Sequence, residues 1–426
     1  MLDLKLIRAD PELVRAGCAK KRIKCDVDRI LELDIEFRGL APQIDELRAS
    51  QKLAGKAIAK ASPEERARLL DEQKQLKTGL KELEERMGAV QTELKPLLLT
   101  VPNLPAAEVP EGLDDNDNVE LRKWGTPRSF DFEALDHVEL GERQGWMNTE
   151  VAARLGGSRN YITLGELARL EHAVLRFAMD LMIDRGFDPA FVPVLVRREP
   201  LEGTGYFPGG IDQIYMTDER DDLYLVGTAE VPLTSIHAGE ILSEDQLPIQ
   251  LVAQSTCFRR EAGTYGKDTR GLYRVHQFQK VEQVVIDVAD EARSLEHHAS
   301  ILKNAEDLLQ AFELPYRVVN VCGGDLGAPQ VQKYDVETWM PSREGYGETH
   351  SASRFHDFQA RRLSIRYRDK EGKVHFCHTL NNTVAASSRI LIALMENHQL
   401  PDGRVAVPEA LRQHMGGLEV IGKAIR

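Results

Sequence analysis

Apolar residues recur with a heptad beat between residues 30 and 98. Leu33, Phe37, Leu40, Ile44, Leu47, Gln51, Ala54 and Ile58 are separated by alternating steps of four and three. The beat stops at Ala61-Ser62-Pro63-Glu64-Glu65 and restarts with Leu69, Gln73, Leu76, Leu80, Leu83, Met87, Val90, Leu94 and Leu97. Such steps keep one stripe on one side of a helix. Two stripes around a short break predict an antiparallel helical hairpin, a coiled coil. Ser62 offers a cap, Pro63 a first-turn proline, and Glu64 and Glu65 negative charge at the positive helix end. With about 30 residues per arm at ~1.5 Å each, the hairpin is on the order of 50 Å long. Pro42 is expected to kink or loosen the first arm.

Pro102, Pro105 and Pro110, followed by Asp114, Asp115 and Asp117, read as a linker. It divides the chain into residues 1–110 and 111–426. Beyond it helix and strand patterns mix. Thr163-Leu164-Gly165-Glu166 has the letters of a capping box. Leu167, Leu170, Val174, Phe177 and Leu181 then form a helix stripe that Gly186 ends. Residues 191–196 predict a strand, with Pro193 favouring a sheet edge. Residues 251–260 and 273–287 predict two strands joined by a Gly-containing loop. That hairpin order makes this half α+β around an antiparallel sheet. No internal repeat is visible.

Composition adds limits. The chain has 426 residues, with 55 Lys and Arg against 68 Asp and Glu, a net charge of −13. Its 42% apolar content suits a sizeable core and excludes a largely disordered chain. No apolar run approaches the ~18 residues of a membrane span. Charges interrupt the start Met1–Arg8, which does not read as an export signal, so a cytoplasmic location is expected. Cys18, Cys25, Cys257, Cys322 and Cys377 contain no C-x-x-C pair and are expected as reduced thiols. The sequon at Asn381 reads as accidental in such a chain. Net acidity argues against a protein that coats nucleic acid. The hairpin tip departs from it: Lys52, Lys56, Lys60, Arg66, Arg68, Lys74 and Lys77 face only Glu64, Glu65, Asp71 and Glu72. A hairpin could merely dimerise, but a basic tip on an acidic protein suggests a phosphate backbone as partner.

Several nucleotide motifs are absent. The run Gly263–Asp268 lacks P-loop spacing, Gly203–Gly209 lacks dinucleotide spacing, and there is no H-E-x-x-H. Phosphate chemistry must therefore use side chains. Arg259 and Glu261 would share one strand face; Arg274, His276, Phe278, Lys280 and Glu282 would share the face of the returning strand. Such a face could hold a nucleotide through stacking and cations, or could simply be a polar outer face with cross-strand ion pairs. Glu348 could bind a hard cation through oxygen. Arg389 lies near the start of a helix that buries Ile390, Leu391, Leu394 and Met395.

At these residues a family resemblance appears. Thr228-Ala229-Glu230, the run Phe258–Gly263, the run Asp268–Phe278, Lys280-Val281-Glu282 and the run Asp357–Arg366 together resemble the seryl-tRNA synthetases of bacterial type, a class II family. The resemblance covers essentially the whole chain. It implies a class II antiparallel catalytic sheet flanked by helices behind a hairpin arm, and a homodimer. It implies activation of L-serine with MgATP and transfer to the terminal adenosine of tRNA(Ser), with tRNA(Sec) a further candidate, and no zinc.

The resemblance also assigns roles. Arg259 and Arg389 are the catalytic arginines. Arg260, Glu261, Arg274, Val275, Phe278, Glu348, Thr349, His350 and Ser351 join them around ATP. In that set Glu261 reads the adenine edge, Phe278 and Arg389 sandwich the ring, and Glu348 and Ser351 hold magnesium. Thr228, Ala229, Glu230, Glu282, Asn381 and Thr383 form the serine pocket. Lys52, Lys56, Lys60, Arg66 and Arg68 contact tRNA. Many members carry Asn-Gly-Ser where this chain has Asn381-Asn382-Thr383, which alters pocket volume. Many carry Ser-Cys-Ser-Asn where it has Ser351-Ala352-Ser353-Arg354, which leaves the local loop geometry open. A ligase loading another carrier would not need the basic arm. A non-catalytic RNA-binding paralogue would not need Arg259, Glu261, Glu282, Glu348 and Arg389 together.

Overall fold

In the computed structural model, which describes residues 1–218, 220–263 and 270–425, both heptad stripes are long helices. The chain divides into two units, Leu2–Pro102 and, with Met1, Asn103–Arg426. The first holds α1 (Leu4–Ala9), α2 (Pro11–Lys20), α3 (Val27–Ile58) and α4 (Pro63–Thr100). Ser62 and Glu65 form a reciprocal capping box at the start of α4. Every member of the two stripes is buried or partly buried. Arg48–Glu84 at 2.8 Å, Arg29–Glu93 at 2.7 Å and Arg86–Glu36 tie the arms along their edges. The helix α3 runs unbroken through Pro42. It ends at Ile58, so Lys60 stands in the turn and not on the helical ridge with Lys52 and Lys56. Cys18 and Cys25 form a disulfide, against the expectation of thiols; the turn after α2 brings them together at a spacing that carries no motif.

In the second unit the main sheet has eight strands among the described residues. They are β1 (Val119–Trp124), β2 (Asp188–Pro189), β3 (Ile249–Phe258), β4 (Gln277–Asp287), β5 (Tyr316–Asn320), β6 (Gln332–Met340), β7 (Gly345–His356) and β8 (His378–Ala386). Their order is β1-β5-β6-β7-β8-β4-β3-β2, antiparallel throughout except for the short β2–β3 pairing. The helices α5 (Gly165–Asp184), α8 (Glu291–Ala311) and α10 (Ser387–Asn397) back the sheet; between α5 and α8 in sequence lie α6 (Arg198–Thr204) and α7 (Glu230–Ser235), and between α8 and α10 lies α9 (Phe358–Leu363). Alternation along β4 assigns its faces. Val281 and Val285 enter the core with Leu170, Val174 and Leu391. Phe278, Lys280, Glu282 and Val284 take the other face.

Several local expectations give way. Thr163-to-Glu166 makes no capping box: α5 starts at Gly165 without a side-chain cap, Thr163 donates to Glu171 at 3.0 Å, and Glu166 accepts from the Gly422 amide at 2.7 Å. The strand expected over 191–196 survives only at its end, in Leu195–Arg197, because Pro193 lacks the amide a ladder needs; Asp188–Pro189 is a separate short strand before it. The strands around the site end at Phe258 and restart at Gln277, so Arg259, Glu261, Arg274 and His276 lie on the connecting segment. Residues 103–110, read as a linker, are part of the second unit: the Asn103 amide donates to Ala328 and the Ala106 amide to Val331. Ser351–Arg354, read as a loop of open geometry, is strand. Arg354 is fully buried there, its guanidinium bonding Glu291, Gln332 and His356. No helix among the described residues is long and apolar enough to cross a membrane.

Candidate active site

The sheet face of Phe278 and Glu282 floors a cleft, and two polar groups of residues divide it. At one end are Arg259, Glu261, Tyr273, Val275, Phe278, Glu348, Thr349 and Arg389. Arg259 sits over the Phe278 ring, 5.4 Å from its centroid. Arg389 sits over Tyr273 at 4.6 Å. It also donates to the Glu348 carbonyl at 2.7 Å and pairs with the Glu348 carboxylate at 3.2 Å. Burial acts to raise the Glu348 carboxyl, but Arg389, Lys333 and Arg259 outweigh it and hold it at about 2. Beside it on β6, Lys333 pairs with Asp335 at 3.1 Å. Burial and the Glu348 charge push the Asp335 carboxyl up to about 7, against Lys333 and a bond from Ser351. Asp335 Oδ1 is buried with no hydrogen-bond partner.

Glu261 stands near the start of the connecting segment at a positive φ of 51, its carbonyl accepting from Arg159 at 3.0 Å and its carboxylate 3.6 Å from Arg274. The Arg260 side chain is exposed and its amide bonds the Gln213 carbonyl. His350 is not in the cleft. It is buried with its ring on Thr349 Oγ1 and the Val384 carbonyl, and burial lowers its pKa to about 4. The stretch Thr264–Thr269, part of both the glycine run and the family signature, lies outside the described residues.

At the other end, three groups converge on one oxygen of Glu282, itself 2% exposed. Thr228 Oγ1 donates to Glu282 Oε2 at 3.1 Å, Thr383 Oγ1 lies at 3.5 Å, and Lys280 forms an ion pair with it. Lys280 also donates to Thr228 Oγ1 at 2.7 Å. Ala229 and Asn381 are buried beside them, Asn381 two positions before Thr383 on the same face of β8. Glu230 opens α7 with both carboxylate oxygens bonded, Oε2 to the Tyr206 hydroxyl at 2.9 Å and Oε1 to Gln359 Nε2 at 2.8 Å.

Sequence reasoning missed Tyr206, Tyr273, Lys333, Asp335 and Gln359 as site residues. Tyr206 lies in the glycine run whose spacing fails as a dinucleotide motif, and Gln359 in the segment that carries the resemblance. In the first unit, Lys52, Lys56, Lys60, Arg66 and Arg68 are all exposed. Only Arg68 has an acidic neighbour within reach among the described residues, Glu72 at 3.9 Å. A cavity of about 1060 Å³ lies away from the cleft, between α5 and residues 189–195, where Phe191 is 98% exposed.

Known proteins share this architecture. Residues 1–105 match the seryl-tRNA synthetase N-terminal domain, and residues 214–398 match the class II tRNA synthetase core domain shared by the G, H, P, S and T enzymes. A serine–tRNA ligase of Deinococcus radiodurans is 49% identical over the full length of both chains. The crystal structure of seryl-tRNA synthetase from Pyrococcus horikoshii complexed with ATP superposes with a TM-score of 0.91 at 40% identity, covering 99% of each chain. That of the cytoplasmic serine–tRNA ligase from Naegleria fowleri in complex with AMP gives 0.87 at 32% identity, again over 99% of each. The chain belongs to the class II seryl-tRNA synthetases, enzymes that activate serine with ATP and load it onto tRNA(Ser).

Proposed function

We propose that the cleft holds seryl-adenylate with its adenine at the Phe278 end and its serine at the Glu282 end. The carrying observation is their spacing on one face of β4: four residues at ~3.3 Å each is about 13 Å, roughly the length of an extended aminoacyl-adenylate. Phe278 and Arg389 enclose the adenine, with Tyr273 supporting the arginine, and Glu261 and the main chain at Val275 read its edge. Arg274 and Arg260 accompany the triphosphate, with Thr349 and His350 supporting that strand. Arg259 neutralises charge at the α-phosphate. Thr228, Ala229, Glu230, Glu282, Asn381 and Thr383 surround the substrate's ammonium and hydroxyl.

The serine carboxylate is already a nucleophile, so the first step needs alignment and charge neutralisation and no general base. The carboxylate oxygen attacks the α-phosphorus and pyrophosphate leaves. The terminal adenosine hydroxyl of tRNA then attacks the acyl carbon and AMP leaves. Hard oxygen donors fit magnesium: Glu348 and Ser351 would hold it, and the unpartnered Oδ1 of Asp335 lies beside Ser351. When bound, the ion neutralises phosphate oxygens.

Residues 1–110 grip tRNA through the arm, with Lys52, Lys56, Lys60, Arg66 and Arg68 on its phosphates; residues 111–426 carry the chemistry. The exposed Phe191 and its groove support a homodimer through this face. A cytoplasmic location and tRNA(Sec) as a second acceptor complete the reading. Pyrophosphate exchange with each of the twenty amino acids tests it: serine should support by far the fastest exchange, with threonine its main competitor, and Glu282→Ala should abolish it while leaving ATP binding intact. Loss of ATP binding in Glu282→Ala would overturn the assignment of the two ends.

A further inference from the structure

We propose that Tyr206 and Gln359 form a clamp that sets the Glu230 carboxylate to receive the ammonium of the amino acid, so that both are positioning residues for the substrate. The proposal rests on the placement of Glu230 in the serine pocket. Glu230 is 7% exposed, and a buried carboxylate needs donors to hold both its charge and its orientation. Each oxygen has one, from a different element. Tyr206 arrives from the segment after α6, its ring packed against the apolar cluster of Phe207, Tyr224 and Val226 and its hydroxyl on Oε2. Gln359 arrives from α9 and is itself fully committed. Its amide nitrogen serves the Thr204 carbonyl at 3.1 Å and Glu230 Oε1 at 2.8 Å, while its oxygen accepts from Thr379 at 2.6 Å.

A side chain spent this way cannot rotate without breaking several buried hydrogen bonds. The carboxylate plane of Glu230 is thus held at both corners. Glu282 and Lys280 face it from β4, and Gln359 and Tyr206 face it from behind. An ammonium entering beside two carboxylates would be drawn to the one that no lysine already pairs. Burial and the Glu282 charge carry the Glu230 carboxyl up to about 7, and the bonds from Gln359 and Tyr206 and the Lys280 charge act against that rise. Losing a clamp donor therefore moves the carboxyl further up, toward the neutral form that cannot pair with an ammonium.

Tyr206→Phe removes one hydroxyl and keeps the ring. In serine-dependent pyrophosphate exchange it should raise the serine KM about tenfold, the scale of one bond to a charged group, with kcat and the ATP KM nearly unchanged. The pH at which serine binding weakens should move upward, and the melting temperature should hold. Gln359→Met, which keeps the volume, should act in the same direction. Glu230→Gln separates the layers. If Glu230→Gln leaves the serine KM alone, the pocket reading falls with the clamp. If it raises the KM while Tyr206→Phe changes neither KM nor pH midpoint, the clamp alone is overturned. A fall in kcat without a rise in KM also overturns it.

Discussion

Arg389 holds Glu348 twice, at the main-chain carbonyl and at the carboxylate, 2.7 Å and 3.2 Å away. The two charges neutralise each other across the mouth of the cleft. Bound adenine would claim the face of the arginine and a divalent cation would compete for the carboxylate, so the pair is the interaction that substrate must exchange. Glu348→Gln keeps the carbonyl bond and removes the charge. Pyrophosphate exchange should fall by about 100-fold or more, the scale of one preorganised charge interaction. Manganese binding in the presence of ATP, followed by electron paramagnetic resonance, should weaken in parallel. Unchanged manganese affinity would remove Glu348 from the cation site.

Two arginines separate catalysis from stability. Arg259 is partly exposed in the cleft over Phe278, and Arg259→Ala should cut exchange by ~100-fold or more while the melting temperature barely moves. Arg354 is fully buried and touches no proposed substrate group. Arg354→Ala leaves a void and removes the donor to Gln332 Oε1. Its acidic partner Glu291 is half exposed and regains water, so the cost is about 2 kcal/mol, below that of a sealed ion pair. Melting should drop and exchange at low temperature should persist. The reverse pattern in either variant would sink its assignment.

The hairpin is legible in the sequence because both heptad stripes and the Ser62–Glu65 box are local: the residues that shape it are near in sequence. The same box letters at Thr163–Glu166 mislead because both side chains bond distant partners, Thr163 at Glu171 and Glu166 at Gly422. The strand over 191–196 misleads because Pro193 reads as favouring an edge strand, whereas the amide it lacks leaves only Leu195–Arg197 as strand. Arg259, Glu282 and Arg389 are legible through the family resemblance, since sheet-face periodicity alone also describes an ordinary polar surface. Tyr206 and Gln359 are not: they reach Glu230 across 24 and 129 positions, and only the folded chain brings them there.

The tip of the arm should behave as an electrostatic surface for tRNA. Lys52, Lys56 and Lys60 pair with no described acid, so they are available to phosphates. Replacing all three with glutamine should flatten the dependence of log tRNA affinity on log salt, by close to one unit of slope for each phosphate that is no longer neutralised. Serine activation should not change. A slope equal to the parent's would remove these lysines from the tRNA-binding surface.

Phe191 is 98% exposed beside an apolar groove, an unusual position for a phenylalanine in an isolated chain. Phe191→Asp should shift sedimentation toward monomer, with melting lowered in a concentration-dependent way. Sedimentation identical to the parent's would place any dimer interface elsewhere.

Thr383 tests the selectivity of the serine end. Its hydroxyl lies 3.5 Å from Glu282 Oε2, the oxygen that Thr228 and Lys280 also engage. A substrate lacking a hydroxyl would leave part of this buried polar group unserved, which is costly. Alanine should therefore be rejected by ~10⁴ or more without any editing step. Threonine retains the hydroxyl and must be excluded by shape. The methyl of Thr383, a residue 7% exposed, occupies volume that serine at this position would leave open. Thr383→Ser should keep serine exchange near the parent rate and raise the threonine-to-serine ratio several-fold, since excluding one methyl by fit is worth about 1–3 kcal/mol. Exchange assays with serine, alanine and threonine on both enzymes decide it. Equal alanine and serine rates in the parent would refute the hydrogen-bonded pocket. An unchanged threonine ratio in Thr383→Ser would refute the steric role of the methyl and leave the hydrogen bond to Glu282 as the basis of selection.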